Sequence, residues 1–258
     1  MIAEFTIENF RSFKEKQTFS LSAAKDKEFL VENTFEAREN VRLLRSALVY
    51  GANASGKTNF FKALGFFLYF AADSGPRGQA GDPTGVKPFL FSKQTEDKPS
   101  TFELTFYLPS NEGRNTKYRY GFSVNGKKVI EEHLFAVYNV REVNLFQRDE
   151  QEITMTAYFK EGGRAKQAVR NNSSLLSVCA QNNGEVSTKI IHYFHAIRVT
   201  TSLRSMSYLT KKELQKSENR EKALDFLRFA DIQIKNLKNE EVPISFAHTV
   251  YDNENPIG

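Results

Sequence analysis

The sequence predicts an α/β fold with α+β character, in which a phosphate-binding loop lies next to an antiparallel β meander and a helical segment follows. Three observations support this prediction. A glycine-rich motif, residues 51–58, separates a short apolar run from a segment of helical periodicity. Apolar and polar residues alternate in several stretches of residues 101–159, as in half-buried antiparallel strands. After residue 165, apolar residues recur at helical spacing.

The composition is that of a globular protein in a reducing compartment. The 258 residues carry a net charge of +5 and a single cysteine, Cys179. One cysteine excludes an internal disulfide framework and a cysteine-based zinc site within one chain, so we expect a cytoplasmic location. The N-terminus lacks the pattern of a secretory signal. The most apolar segment, residues 60–72, is too short for a membrane span, which needs roughly 20 apolar residues, so no membrane association is expected.

The segments before the motif are predicted to be strands. Residues 2–8 and 17–23 alternate between apolar and polar side chains, and residues 9–13, Asn-Phe-Arg-Ser-Phe, lie between them as a turn. Residues 25–45 are mixed and charged and receive no assignment. Residues 46–50 form an apolar run that ends at a glycine, which favours a fully buried strand at the centre of a sheet.

After the motif the pattern changes twice. Helical spacing predicts a helix over residues 55–72, and the following Gly, Pro and Asp residues predict a loop to residue 88. The predicted meander comprises residues 101–108, 117–124, 129–138, 143–148 and 152–159. Asn125-Gly126 predicts a hairpin with a type I′ turn, which requires positive φ at both central residues. The predicted helices are 173–181, 185–197 and 219–238, so we divide the chain into an N-terminal lobe, residues 1–165, and a helical segment, residues 166–258.

The motif itself matches G-x-x-x-x-G-K-[ST] at every position. Backbone N–H groups of such a loop surround phosphate oxygens, and glycines permit the close approach. The helix that follows points its positive end at the phosphates. Lys57 is predicted to contact the β and γ oxygens and to be essential for catalysis, and the Thr58 hydroxyl to bind Mg²⁺. The predicted nucleotide-binding residues of this segment are Gly51, Ala52, Asn53, Ala54, Ser55, Gly56, Lys57, Thr58 and Asn59.

Two other kinds of nucleotide protein fit less well. Asp82-Pro83-Thr84-Gly85 fits the D-x-x-G pattern of GTPases, but the sequence has no N-K-x-D guanine motif, so we interpret this segment as a turn. A small-molecule kinase is compatible with the phosphate-binding loop. However, such a kinase continues with alternating helices and parallel strands, whereas an antiparallel meander is predicted here.

The sequence resembles the heads of ABC-type ATPases, in particular the SMC, RecF and OLD-like subgroup, which includes bacterial AAA-family ATPases of abortive-infection and phage-defence systems. The resemblance rests mainly on Asn9-Phe10-Arg11-Ser12-Phe13 and on the segment from Tyr50 to Asn59. Weaker likeness occurs at Pro88-Phe89-Leu90-Phe91, 102–104, 118–122 and 131–134.

That resemblance implies ATP and Mg²⁺ as cofactors and places Arg11 and Ser12 beside the nucleotide. It also implies a head-to-head dimer with ATP between the heads, and DNA or an effector protein as a partner. Two motifs of such heads are not found, namely the signature segment and an apolar strand that ends in Asp-Glu. The chain therefore looks like the N-terminal portion of a longer family member.

Several residues are weak candidates for the missing functions. Glu131-Glu132 follows an apolar run that is too short, and Glu240-Glu241 follows a polar helix. Gln79 and Gln94 are weak candidates for the Mg²⁺-sensing glutamine of such heads. Two functions stay open, an ATPase head and a non-hydrolysing nucleotide sensor or DNA-binding scaffold.

Two further features carry little functional information. His192 and His195 share a predicted helix face, but no carboxylate or cysteine completes a metal site nearby, so we expect a packed or solvated pair. Residues 153–212 carry nine Lys/Arg against Glu161 and Glu185, an excess that attracts phosphate backbones or is an ordinary solvated surface. These basic residues are Lys160, Arg164, Lys166, Arg170, Lys189, Arg198, Arg204, Lys211 and Lys212.

Overall fold

The computed structural model describes residues 1–25, 28–110, 113–200, 210 and 212–229. The strands are β1 Ile2–Glu8, β2 Gln17–Ser20, β3 Thr34–Arg38, β4 Val41–Leu44, β5 Ser100–Pro109, β6 Asn115–Val124, β7 Val129–Val137, β8 Glu142–Asp149 and β9 Glu152–Met155. The helices are α1 Leu30–Asn33, α2 Lys57–Arg77, α3 Lys93–Glu96, α4 Ala165–Ala168, α5 Leu175–Gln181, α6 Glu185–Ala196 and α7 Ser217–Phe229. The chain divides into two units, Met1–Val199 and Thr200–Gly258, and α7 belongs to the second.

The first unit is organised around a seven-stranded sheet in the order β2-β1-β5-β6-β7-β8-β9, in which every pair of neighbours is antiparallel. The predicted meander is therefore confirmed. The strands β2 and β9 end three to four residues earlier than predicted, at Ser20 and Met155. Strands β3 and β4 form a separate hairpin that the sequence analysis left unassigned, with Asn40 at positive φ in its turn.

One face of the large sheet is covered by helices through a core of aromatic rings. Phe67 of α2 stacks on Phe122 of β6 with ring centroids 5.4 Å apart, and contacts Phe5 of β1 edge to face. Phe194 of α6 meets Phe67 and also Phe106 of β5. Each fully buried ring of this kind contributes roughly 1.5–3 kcal/mol by leaving water. The phenylalanine-rich composition thus fixes α2 across β1, β5 and β6.

The hairpin between β6 and β7 occurs where Asn125-Gly126 predicted it, but the predicted turn type is wrong. Neither residue has positive φ. The chain instead reverses over four residues, since the Asn125 N–H donates to the carbonyl oxygen of Lys128 at 3.0 Å. The Asn125 side-chain oxygen accepts from the N–H groups of Lys127 and Lys128, each at 2.9 Å. These hydrogen bonds from the backbone to the Asn125 side chain favour a four-residue turn over the predicted two-residue type I′ turn.

The buried strand predicted for residues 46–50 is wrong. The segment forms no strand, and its apolar side chains are exposed, Leu48 by 77%, Val49 by 45% and Tyr50 by 83%. An apolar run becomes a buried strand only where neighbouring strands cover it. Among the described residues, none of the strands pairs with this segment.

Helix α2 is longer than predicted and continues into the first part of the region assigned to a loop, as far as Arg77, with Pro76 inside its last turn. Contacts with a distant segment stabilise the helix here, although the Gly and Pro residues of this region favour a loop. Arg170 donates to the carbonyl oxygens of Ser74 and Gly75, at 3.1 and 2.8 Å. These carbonyls have no other donor within the helix end, so the guanidinium caps the helix.

The helices predicted over residues 173–181 and 185–197 are confirmed as α5 and α6, and both pack against α2 within the first unit. The described part of the third predicted helix is α7, and residues 230–238 lie outside the described residues, as do Arg204, Lys211 and Glu240-Glu241. The proposed division at residue 165 stays a prediction. Across the described ranges, no helix combines the length and apolarity needed to cross a bilayer.

The far face of the sheet carries a charged network. Arg119 donates to Glu142 at 2.6 Å and to Glu103 at 2.9 Å, and the Arg119 guanidinium lies 4.3 Å from the Phe135 ring centroid. Burial opposes ionisation of Glu103, but hydrogen bonds from His133 and Arg119 outweigh it and hold the Glu103 pKa below its ordinary value. The hydrogen bond from Arg119 likewise lowers the pKa of Glu142.

A buried carboxylate connects this sheet to the helical layer. Glu132, 1% exposed, accepts from the N–H groups of Leu175 and Leu176 at the start of α5, at 2.7 and 3.1 Å. It also accepts from the Tyr120 hydroxyl at 2.9 Å and lies 3.4 Å from the Arg148 guanidinium. The second residue of Glu131-Glu132 is therefore a structural group that holds a helix N-terminus.

Replacement of Glu132 by alanine leaves two helix N–H groups without their acceptor and the buried Arg148 guanidinium without its carboxylate partner. We expect Glu132→Ala to lower the free energy of unfolding by roughly 3–5 kcal/mol. Urea unfolding followed by circular dichroism measures this loss. The control is Glu131→Ala, at the adjacent exposed position, which should change stability by less than about 0.5 kcal/mol. Equal stability of the two variants would contradict the structural role of Glu132.

Candidate phosphate-binding site

The glycine-rich segment curls around the N-terminus of α2. Ala54 and Gly56 adopt the left-handed conformation, with φ of 63° and 95°, and the Ser55 N–H donates to the Ala52 carbonyl at 3.2 Å. Residues in left-handed conformation next to residues in right-handed conformation turn successive N–H groups to one side, which is typical of anion-binding loops. The structure thus gives the predicted motif a curled backbone that is open to solvent.

Two glycines of the motif lie close to serine hydroxyl groups. A Cβ at Gly51 would lie 2.6 Å from the Ser55 hydroxyl oxygen. A Cβ at Gly56 would lie 2.9 Å from the hydroxyl oxygen of Ser12, and Gly56 also has a φ that side chains disfavour. A side chain at Gly51 would occupy space inside the loop, and one at Gly56 would lie against the turn that carries Ser12.

The first turn of α2 has no capping side chain and no acidic residue. Its first hydrogen bond runs from the N–H of Phe60 to the Gly56 carbonyl at 3.1 Å. The preceding N–H groups, at residues 57–59, have no acceptor within the helix. Together with the helix dipole they make this end of α2 positive, which favours a bound anion.

Lys57 bends back over the loop. Its Nζ donates to the carbonyl oxygens of Gly51 and Ala52, each at 2.7 Å, and lies 3.4 Å from the Ser55 hydroxyl oxygen. The ammonium group therefore lies beside the same curved backbone as the N–H groups of the loop. It adds a full positive charge at the point where a polyphosphate would enter.

The turn between β1 and β2 meets the glycine-rich loop. The Asn59 side-chain amide donates to the Ser12 hydroxyl oxygen at 3.0 Å. The structure therefore brings Ser12, Gly56 and Asn59 together, as the sequence analysis expected for a nucleotide site. Arg11 has a φ of 51°, and its backbone N–H donates to the carbonyl oxygen of Lys87 at 2.9 Å. Its Nε atom is buried without a hydrogen-bond partner.

Two clefts adjoin the loop. One, of about 380 Å³, is lined by residues 53–59 alone. The other, of about 250 Å³, lies between the loop and the first two strands. Its walls carry four aromatic rings, from Phe13, Phe19, Tyr50 and Phe60, together with the polar side chains of Gln17 and Thr18. No Asp or Glu of the described ranges lines either cleft.

Sequence reasoning missed the aromatic cleft, because its walls come from segments that are far apart in the chain. Tyr50 was identified only as part of the motif, and Phe19 only as an alternating strand residue. The signal that could have revealed the cleft is the aromatic residue immediately before the first glycine, together with the aromatic residues that follow the turn at residues 9–13.

The sequence analysis also named candidate residues outside the glycine-rich loop. Gln79 follows the C-terminus of α2, the end opposite Lys57, about 30 Å away along a helix of 21 residues. Gln94 lies in α3 and is exposed. Thr84 of the D-x-x-G segment is buried and donates to the Asn125 carbonyl at 2.6 Å, as in a docked turn. For His195, one of the two histidines of the predicted helix, the Nε2 atom lies 3.5 Å from the Oδ1 atom of Asp73.

The lone cysteine is buried in the first unit. Burial raises the pKa of the Cys179 thiol well above its ordinary value, which disfavours the thiolate. Within the described ranges, His, Cys, Asp and Glu side chains form no group of three that could hold a metal ion.

A comparison with protein families identifies the chain. A family model described as "AAA domain, putative AbiEii toxin, Type IV TA system" matches residues 46–247, which is more than half of the sequence. The chain belongs to this family of AAA domains. A search of curated proteins finds no match.

Family membership confirms the predicted P-loop fold class with a mixed α/β architecture, and the AAA domain is of the AbiEii type. AAA domains use a nucleotide and usually Mg²⁺. The geometry fits this use: a Cβ at Gly51 would occupy space inside the loop beside Ser55, and no side chain caps the helix N-terminus. The Lys57 ammonium supplies the charge that a polyphosphate requires.

Substitution of Gly56 should strain the loop. We expect Gly56→Ala to lower the free energy of unfolding by about 1–2 kcal/mol, because alanine disfavours a left-handed backbone and its Cβ would contact Ser12. Chemical denaturation measures the difference. The matched control is Gly126→Ala, whose Cβ would meet no atom within 4 Å and whose φ is not left-handed. If Gly126→Ala destabilised the AAA domain as much as Gly56→Ala, the strain argument would fail.

Proposed function

We propose that the AAA domain binds ATP with Mg²⁺ at residues 51–59, and that the bound nucleotide controls association with a second head or with an effector. The observation that supports this most directly is the curled loop, with the Lys57 ammonium 2.7 Å from two of its carbonyl oxygens and the uncapped start of α2 beside it. Triphosphate oxygens would replace those carbonyls as acceptors for Lys57.

The aromatic cleft supports a nucleoside triphosphate over inorganic phosphate. A planar base requires an apolar slot next to the polyphosphate site, and the cleft of about 250 Å³ shares Ser55, Gly56 and Lys57 with the loop. Its rings offer stacking partners, and Gln17 and Thr18 offer hydrogen bonds to the base edge. We therefore assign this cleft to the adenine ring.

Thr58 is the proposed protein ligand of Mg²⁺, since its exposed side chain belongs to the first turn of α2. Magnesium would neutralise phosphate charge and orient the β and γ oxygens. Arg11 and Ser12 are the proposed contacts from the turn. The buried Nε of Arg11 has no hydrogen-bond partner. The hydroxyl oxygen of Ser12 already accepts from Asn59.

Association is proposed because apolar surface adjoins the nucleotide site. Leu48, Val49 and Tyr50 are exposed immediately before the loop, and contiguous exposed apolar residues mark interaction surfaces. A partner that covers them would also approach the nucleotide. This arrangement suits an ATPase head of the SMC, RecF and OLD-like subgroup in a cytoplasmic defence system, with a second head, an effector protein or DNA as partner.

Loss of the Lys57 ammonium should abolish most of the nucleotide affinity. We expect Lys57→Ala to weaken binding of a fluorescent ATP analogue in Mg²⁺ buffer by roughly 10- to 150-fold, the range for hydrogen bonds to charged groups. Equilibrium fluorescence titration measures the dissociation constant. Lys62→Ala, at an exposed position on the same helix, should bind like the wild type. Equal affinity of the Lys57→Ala variant and the wild type would refute the assignment.

A second candidate function, a nucleotide sensor or DNA-binding scaffold without turnover, is favoured by one observation. Among the described residues, those that line the two clefts at the loop include no carboxylate of the kind that serves as a general base for water. We expect this chain alone to bind ATP with little or no steady-state phosphate release. A phosphate-release assay decides: turnover by the wild type that is lost in Lys57→Ala would exclude the scaffold.

A further inference from the structure

A second surface, formed by residues 87–98, projects an apolar tip beside the turn that carries Arg11. Phe91 is 91% exposed and Leu90 is 67% exposed, although both are large apolar side chains. Phe89 contacts Phe91 edge to face, with ring centroids 5.8 Å apart. No described aromatic ring other than Phe89 is paired with Phe91. One face of the exposed ring is thus open to a ligand.

The tip is held by a buried side chain. Asn9, 3% exposed, accepts from the Phe89 N–H at 3.1 Å and donates to the carbonyl oxygens of Thr95 and Lys98, each at 2.8 Å. The Thr95 hydroxyl closes the loop by donating to the Phe89 carbonyl at 3.0 Å. Phe91 is therefore presented on a backbone that is fixed at both ends, which lowers the entropic cost of binding.

The surroundings of the tip are basic. Residues 9–17 and 87–98 contain six Lys/Arg against three Asp/Glu. Lys87, Lys93 and Lys98 are exposed, and none of them forms an ion pair among the described residues. Exposed lysines without an ion pair, on the same segment as an exposed ring, match a ligand that has both aromatic faces and negative charge.

The size of the tip decides between two such ligands. A stable protein interface covers about 800 Å² on each partner, with 20–30 residues, whereas this tip offers two exposed apolar side chains. Stacking of a base needs a single ring and contributes roughly 1–3 kcal/mol per base. We propose that the tip of residues 87–98 binds single-stranded nucleic acid, with one base stacked on Phe91 and phosphates beside Lys87, Lys93 and Lys98.

The proposal is tested with a fluorescein-labelled oligonucleotide of 15 thymidines, whose binding to the full chain is followed by anisotropy at low salt. Phe91→Ala should weaken binding by roughly 5- to 150-fold. The matched control is Val140→Ala, which removes a side chain that is 90% exposed in the turn between β7 and β8. It should bind like the wild type. Equal affinity of the wild type and the Phe91→Ala variant would overturn the proposal.

Three further arms make the test specific. A duplex of the same length should bind several-fold more weakly, because its bases are already stacked, and a duplex that binds as tightly would overturn the proposal. A labelled polyglutamate peptide that matched the oligonucleotide would also overturn it, since the tip would then be a docking surface for acidic proteins. A uridine oligonucleotide of equal length distinguishes RNA from DNA as the ligand.

Two variants separate this site from the nucleotide site. Lys93→Ala should reduce the slope of log affinity against log salt by about 0.7, the value for one lost phosphate contact on a single strand. An unchanged slope would remove Lys93 from the site. Lys57→Ala should leave oligonucleotide affinity unchanged, so failure of the ATP-binding proposal would not be mistaken for failure of this one.

Discussion

The ring packing between α2 and the sheet is the contact on which the rest of the first unit depends. Phe67 touches Phe5, Tyr120, Phe122 and Phe194, so a single side chain of α2 meets β6 in the middle of the sheet, β1 nearer its edge, and the helix α6. Burial of apolar surface favours no particular orientation of a helix. Packed aromatic rings do favour one, because only a few mutual orientations of the rings fill the space between them. The axis of α2, and with it the position of Lys57, follows from this packing.

Both parts of the candidate site are attached to that same core. Strand β1 contributes Phe5 to the ring cluster and then leads into the turn with Arg11 and Ser12, whereas α2 contributes Phe67 and begins at the glycine-rich loop. The hydrogen bond between Asn59 and Ser12 joins the first turn of α2 to the turn that follows β1. Asn9 extends the connection to the segment with Phe91. Residues that are distant in sequence thus share one rigid support.

The sequence predicted what depends on local periodicity and on short motifs. The strands β1 and β5 to β8, the helices α5 and α6, and the glycine-rich loop were identified because each has its own pattern. The misassigned segments depended on remote contacts. Arg170 extends α2 past Pro76 into the predicted loop, and the Asn125 side chain replaces the expected turn geometry. The aromatic cleft was missed, since its walls meet only after β1, β2 and α2 have packed.

The exposed apolar run before the loop has a consequence for the behaviour of the chain in solution. Residues 46–50 combine β-forming side chains, an absence of charge and proline, and backbone groups without strand partners among the described residues. Such a segment is a template for cross-β stacking between molecules, and natural proteins protect it with a covering element. A partner that covered residues 46–50, as proposed above, would therefore also shield them from pairing with other copies of the chain.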